Sequence, residues 1–387
     1  MFYSLFLLFV PLINAQEPQV KADSVPVVAS TITAPAPAVS SATTVAVSSP
    51  TFEFHGVHMS GWGAGSTKTR RAFIAHMKEA GLNGVVIALK EYDGSVFVHD
   101  VPLAKKIGAF YNAIPDLAQC TKDFKDAGIY TIGRVVLFKD DTLARKRPEL
   151  AVHKPDGSIW TNDKGVAWVD PYQHEVWEYN AEIASRAAAY FDEIQFDYIR
   201  FPSDGPTKLC RYVRKDDTPK TAAKNLADLM AFLRQKLGDK KISVAVFGLT
   251  TTDTSGMGIG QHLDQFVKEA DFVSPMMYPS HYHKHEYGIP DPNKDPYKTI
   301  QRGLRKTKAL GADLSKLRPY FQDFSLGFHY GRNEVRAQIM AAARAGVRNW
   351  ILWNPQNRYT WSAVPKPDEI PPPDADVPEK ESHEKSR

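Results

Sequence analysis

The chain has 387 residues, 48 basic against 44 acidic side chains, and a formal net charge of +4. Its basic residues are dispersed: Arg145-Lys146-Arg147 and Lys240-Lys241 are short runs with no nucleic-acid module around them, so they read as solvated surface and no nucleic-acid partner is expected. Cys120 and Cys210 either pair, as an exported protein allows, or remain buried thiols.

The first residues, Met1 to Ala15, form an apolar run too short for a stable bilayer span but suited to a signal-peptide core, with cleavage after Ala15. The leading segment has no Lys or Arg, which leaves an uncleaved anchor as the alternative, and no cysteine follows the run as a lipoprotein would require. An exported protein of the periplasm, cell envelope or extracellular space is expected, with no stable membrane span after cleavage. Residues 16–51 are rich in Pro, Ala, Val, Ser and Thr and read as a flexible linker. Residues 52–364 have globular composition, and residues 365–387 turn Pro-rich and then charged, which reads as a disordered tail.

Within the globular part, short apolar runs alternate with amphipathic ones. Strands are predicted at 56–62, 83–90, 130–139, 193–201, 242–249, 272–278, 318–324 and 349–353. Ser66 or Thr67 caps a helix that ends at Gly81; further helices fit 116–127, 175–190, 222–237, 261–270, 296–310 and 333–345. The connection Ala-Gly-apolar recurs at 80–82, 127–129 and 345–347, each time a helix end, a left-handed glycine and the approach to a strand. Eight such units predict an α/β fold, a (β/α)8 TIM barrel; a doubly wound sheet is the rival, but no Gly-rich dinucleotide fingerprint follows the first strand. After the eighth strand the sequence is too short for a closing helix.

In such a barrel, chemistry comes from strand C-termini and the loops after them. The segment Glu193-Ile194-Gln195-Phe196-Asp197-Tyr198 is the most informative: alternation puts Glu193, Gln195 and Asp197 on one face, with Asp197 at the strand's C-terminal end. Strand one offers His58, Ser60 and Trp62; strand two Lys90, then Glu91 and Asp93; strand three Arg134, Lys139 and Asp140; strand four also Arg200. Asp253 follows strand five, Tyr278 and His281 follow strand six, Gln322 and Asp323 lie on strand seven, and Trp353 and Asn354 end strand eight. Carboxylates beside exposed aromatics suit a sugar polymer, and glycoside cleavage generally takes two carboxyl groups. Asp197 is the nucleophile or base candidate, and Asp323 and Asp253 lead for the acid, with Asp140 behind. Each also has an ordinary reading: Asp323 as a carboxylate paired with Arg200 or Arg134, Asp253 as a loop cap, and Arg134 as half of a buried pair. The histidines of His281-Tyr282-His283-Lys284-His285 lack the ligands that would complete a metal site, so a solvated loop is expected and no metal. There is no nucleophile elbow and no phosphate loop, and no cofactor is expected.

The chain resembles the bacterial "putative glycosyl hydrolase domain" family. The resemblance rests on Lys90–Gly94, Val101–Ala104, Arg134–Asp140, Arg147–Ala151, Trp168–Tyr172, Phe191–Pro202, Val246–Gly248, Gly258–Gln261, Ser274–Tyr282, Gln322–Phe324 and Leu352–Asn354. It covers about residues 54–361 and implies a TIM barrel related to amylase-like glycosidases, with Asp197 at the nucleophile position and Asp323 as the transition-state partner. Two positions depart from the pattern the resemblance implies: Ala88 stands on strand two and Ala245 on strand five, where acidic residues are expected, and strand five normally carries the acid/base. The expected function is therefore an exported glycoside hydrolase of a cell-envelope or extracellular polysaccharide. In it Asp197 attacks or acts as base, Asp323 and Arg134 stabilise or orient, and Asp253 or an unidentified group is the acid. Trp62, Lys90, Gln195, Arg200, Tyr278, His281, Gln322, Trp353 and Asn354 are the candidate substrate contacts. The alternative is a non-catalytic carbohydrate-binding barrel.

Overall fold

The computed structural model describes residues 52–374. The chain divides into two units, Met1–Phe52 and Glu53–Arg387. The expected signal segment and linker (1–51) and the end of the expected tail (375–387) lie outside the described residues.

Eight parallel strands close into a barrel in sequence order: β1 His55–Met59, β2 Gly84–Lys90, β3 Tyr130–Val136, β4 Glu193–Asp197, β5 Lys241–Phe247, β6 Phe272–Met276, β7 Tyr320–Gln322 and β8 Trp350–Trp353. Closure comes from β8 pairing with β1 through His55–Trp350, Gly56–Ile351 and Val57–Leu352. Ten helices accompany them among the described residues: α1 Gly61–Gly65, α2 Thr67–Glu79, α3 Pro102–Lys106, α4 Leu117–Asp126, α5 Asp141–Lys146, α6 His174–Ala188, α7 Pro219–Leu237, α8 Leu263–Glu269, α9 Pro296–Ala309 and α10 Arg332–Arg344.

The eight expected strands are all present but shorter: six stop before the predicted C-terminal end, where the chain leaves the ladder for a loop, and β2 and β8 lose a residue at the start. Ser66 is the cap of α2, its hydroxyl accepting from Thr69 N at 3.3 Å. The three Ala-Gly-apolar connections share one geometry. Gly81, Gly128 and Gly346 have φ of 72°, 76° and 90°. The next residue donates back across the last helical turn in each: Leu82 to Met77 O (2.8 Å), Ile129 to Phe124 O (3.0 Å) and Val347 to Ala342 O (2.9 Å). A side chain would strain a left-handed position, so glycine recurs where a helix must turn straight into a strand.

Strand alternation sorts the core into two. Outward residues such as Val57, Val85, Ile87, Ile194, Phe196, Val244 and Phe321 pack in the large cluster against the helices, while Phe54, Val86, Ile132, Ala245, Tyr278, Tyr320 and Ile351 form a smaller cluster within the barrel.

One sequence expectation needs correction here. The described chain does not become a free tail at 365: Asp374 pairs with Arg305 (2.7 Å) and Arg344 (3.5 Å), and Glu369 with Arg336 (3.1 Å), so residues up to Asp374 are fastened to α9 and α10. The barrel's end after β8 is finished by two short 3-10 turns, Trp361–Ala363 and Pro367–Glu369. Cys120 and Cys210 are free and buried, which settles the open alternative against a disulfide.

Candidate active site at the barrel mouth

The inward column of β4 carries a polar axis up the barrel. At its base Glu193 accepts from Arg318 at 2.6 Å, both fully buried. One level up, the Gln195 amide donates to Ser243 and Ser274 Oγ (both 3.2 Å) and accepts from Tyr320 Oη at 2.5 Å. Asp197 ends the strand at the top. Arg134, opposite Gln195 in the β3–β4 register, reaches upward and donates from Nε and Nη2 to Asp197 Oδ2 at 2.8 and 2.6 Å. Its Nη1 contacts Glu91 Oε2 at 3.3 Å. Burial alone would lower the pKa of Arg134, but Asp197 and Glu91 outweigh it and hold the guanidinium more firmly protonated than usual.

Asp197 is 4 % exposed. Among the described residues its Oδ1 accepts only from the Tyr198 backbone N–H, at 2.6 Å. Tyr198 has φ of 52°, a left-handed conformation that costs on the order of 1–3 kcal/mol in a bulky residue. That turn ends the strand, aims the backbone N–H at the carboxylate and throws the tyrosine ring out of the strand's alternation.

His58, on the inner face of β1, has both ring nitrogens buried without a hydrogen-bond partner among the described residues. Burial first, and the nearby Arg134 charge second, push its pKa down to about 3, so the ring is neutral near neutral pH and can donate from one nitrogen and accept at the other. Its carbonyl accepts from Tyr359 Oη at 2.5 Å, which ties the post-β8 segment to β1. Across the mouth, Tyr278 stacks on Trp353 (centroids 5.7 Å, 27° between planes), with Phe324 edge-on to both and His281 5.3 Å from Tyr278. Trp62, on α1, is 62 % exposed, the kind of free aromatic face on which a sugar ring stacks.

Asp323 lies just past β7. Its two oxygens accept from Thr360, the backbone N–H on Oδ2 and the hydroxyl on Oδ1, both at 2.7 Å. Its partners are in the β8 loop; it pairs with neither Arg134 nor Arg200 among the described residues. Burial raises its pKa above the ordinary carboxylate value, against the opposing effect of the Thr360 bonds.

The structure therefore gathers Asp197, Arg134, Tyr278, His281, Trp353 and Trp62 around the C-terminal end, and gives six other sequence candidates structural partners instead. Lys90 is sealed behind the barrel wall, 2.7 Å from Asp140 and donating to Asn180 Oδ1 on α6 at 2.9 Å. A register shift between Ala88 and Lys90 reverses the alternation there and turns the lysine outward. Gln195 is fully buried beneath the site with its amide spent on Ser243, Ser274 and Tyr320. Gln322 accepts from Ser280 N (3.1 Å) and donates to Phe324 O (2.9 Å), stitching the loops after β6 and β7. Asn354 holds its own turn, accepting from Gln356 N and Arg358 N and donating to the Asp323 carbonyl. Asp253 closes a local turn onto Ser255 N and Oγ (2.7 and 2.6 Å). Asp140 caps α5 through Leu143 N (2.8 Å) besides pairing with Lys90. No group of three or more His, Cys, Asp or Glu among the described residues is placed to hold a metal ion.

Sequence reading assigned no role to Glu91, Tyr320, Tyr359 or Thr360. Tyr359 and Thr360 sit in a stretch with no periodicity, and their only signal is the polar-aromatic run Tyr359-Thr360-Trp361 directly after the last strand.

A closed eight-stranded barrel with a buried Asp–Arg pair ending β4 and an aromatic rim defines a glycosyl hydrolase-like barrel. The chain belongs to the family described as "Putative glycosyl hydrolase domain", which matches residues 56–359. Among curated proteins none matches the chain. Of solved structures, a hypothetical protein from Ruminiclostridium thermocellum ATCC 27405 is 31 % identical, over 52 % of this chain and 99 % of that one, with a TM-score of 0.46. The PgaB (BpsB) glycoside hydrolase domain from Bordetella bronchiseptica is 14 % identical over 78 % of this chain and 94 % of that one (TM-score 0.58). Alpha-L-fucosidase isoenzyme 2 from Paenibacillus thiaminolyticus is 11 % identical over 82 % of this chain and 48 % of that one (TM-score 0.56). At these identities the last two are alike in fold.

Proposed function

We propose that the protein is an exported glycoside hydrolase acting on a cell-envelope or extracellular polysaccharide. The observation that carries this reading is Asp197: a carboxylate at the tip of β4, inside the barrel, fixed through one oxygen by two Arg134 bonds. Its Oδ1, held by a single backbone contact, is left to attack the anomeric carbon or to activate a water. The acid assignment moves from Asp253, which only closes a turn, to Asp323, whose burial favours the protonated form that an acid needs. Trp62, Tyr278, His281 and Trp353 form the aromatic rim that stacks on sugar faces. The apolar leader and the 16–51 linker of the sequence support export.

The test is reducing-sugar release from a panel of bacterial envelope and storage polysaccharides, with wild type beside Asp197→Ala. Wild-type activity lost by at least on the order of 10³-fold in the variant is expected. One observation favours the second reading, a carbohydrate-binding barrel without catalysis: the strand-five position is Ala245, packed in the barrel's inner cluster with no carboxyl group. Glycan binding undiminished in Asp197→Ala, with no hydrolysis by either protein, would decide for it.

A further inference from the structure

Beside Asp197, on the side of the β3 and β4 loops, lie one buried cation, Arg200, and one partly buried cation, Lys139, with little to neutralise them. Arg200 is 4 % exposed. Its Nη1 donates to Phe201 O (3.0 Å) and Ser203 Oγ (2.8 Å), and no carboxylate pairs with it among the described residues. Its guanidinium lies over three rings: Phe247 at 4.5 Å, Trp168 at 4.7 Å and Tyr198 at 5.1 Å. Lys139, its side chain 11 % exposed, shares two of those rings, with Nζ 5.2 Å from the Tyr198 centroid and 5.9 Å from that of Trp168, and also lies 5.3 Å from Tyr92. A long ion pair joins it to Asp204 at 3.9 Å, and that carboxylate, which also accepts from Asn162 at 2.6 Å, offsets part of the burial of both cations.

The position of this pair follows from the backbone. Tyr198 is the residue after Asp197, and its left-handed turn brings the ring within reach of both cations. Leu137 N donates to the Asp197 carbonyl at 2.9 Å, which sets Lys139, two residues on, at the same rim. A desolvated cation is costly unless it is paired, and aromatic faces compensate only in part. Burial lowers the pKa of both groups, the signature of positive charge lacking enough counter-charge. Tyr92, 49 % exposed, adds a ring to stack on directly over Lys139.

We propose that Arg200 and Lys139 form a subsite for the carboxylate of an acidic sugar, so that the polysaccharide bound beside Asp197 is a uronate-containing one. The planar guanidinium suits a carboxylate, and the ammonium supplies a second, point-like charge. This deepens the glycan-site reading above and rests on it.

The experiment is calorimetric binding of uronate oligosaccharides, and of the same oligosaccharides with their carboxyl groups reduced to alcohols, to the full chain carrying Asp197→Ala so that nothing is hydrolysed. Sulfated oligosaccharides serve as a further arm. The expected result is at least about tenfold tighter binding of the uronate than of its reduced form, a preference that weakens with salt. Lys139→Gln should collapse that preference several-fold while leaving affinity for the reduced form unchanged. Arg200→Gln should do so more completely, provided its thermal melting shows it folded; Lys139→Gln keeps the test open if it is not. Equal affinity for uronate and reduced sugar overturns the proposal and leaves the glycan site standing. A preference that Lys139→Gln and folded Arg200→Gln do not alter assigns these cations to bracing the loop and also overturns it. Preference for the sulfated ligand replaces the carboxylate assignment, and binding of none overturns both this subsite and the glycan reading beneath it.

Discussion

Arg134 joins two carboxylates with one guanidinium, and its geometry is unequal: two bonds to a single oxygen of Asp197, one longer contact to Glu91. The sequence showed that Arg134 would pair with a carboxylate but left the partner open; Asp197 takes it because the two residues face inward on neighbouring strands. Glu91 was not legible, since its direction depends on the register shift that turns Lys90 outward just before it, and no local pattern encodes such a shift. Asp323 carries a prediction about pH. Its raised pKa means that, as the acid, it stays protonated to a higher pH than an exposed carboxyl group would. Hydrolysis should therefore fall along an alkaline limb lying above the usual carboxylate range, and Asp323→Asn should lose about 10²- to 10⁴-fold in kcat/KM. A pH–rate profile in which Asp323→Asn keeps wild-type activity across the range would remove Asp323 from the mechanism.

Between elements, polar side chains that read as catalytic from the sequence often proved to be fasteners. The pair Lys90–Asp140 joins β2, α5 and, through Asn180, α6; the lysine also donates to Val136 O (2.8 Å) and Leu137 O (3.3 Å). Nothing in the type or spacing of such residues separates them from an active-site pair; only burial between barrel wall and helices does. Breaking a buried ion pair leaves an uncompensated charge, so Lys90→Met should lower unfolding stability by about 3–5 kcal/mol. Denaturant titration is the check, and a loss under about 1 kcal/mol would mean that Asp140 keeps solvent or another cation once the lysine is gone. Helix ends, by contrast, were readable, because a cap such as Ser66 or a turn glycine such as Gly128 acts within a few residues of itself.

At the scale of the whole barrel, Asp170 makes folding sensitive to pH. It receives Val213 N (2.6 Å) and Tyr172 N (2.9 Å), holding the long β4–α7 connection against the segment before α6. Burial raises its pKa from 3.8 to about 6, and neighbouring Asp217 adds to the rise. For a carboxyl group raised on folding, the folded state binds the proton more tightly than the unfolded one. Below about pH 4 both states are protonated and nothing is lost; as pH climbs to about 6 the group withdraws stability, on the order of 3 kcal/mol in all. The difference in unfolding free energy between wild type and Asp170→Asn should shift by that order against wild type over this window. A difference that stays constant with pH would show that the carboxyl is not desolvated in solution. The β6–β7 seam, with the single pairing Met276–Tyr320, was also invisible in the sequence, where both strands read longer than they are.

The sequence by itself determined the number and order of the barrel units, the inward column of β4 and the place of Asp197 at its tip, because alternation, caps and turn glycines are local and act through neighbouring residues. Only the tertiary structure decided which polar groups reach the mouth. Lys90 went to the helix layer, Gln195 to the middle of the barrel interior, Asp323 to Thr360, and Arg200 and Lys139 to a shared pair of rings. A long side chain's partner is fixed by desolvation and by contacts from strands far apart in the chain, and those exist only once the barrel has closed.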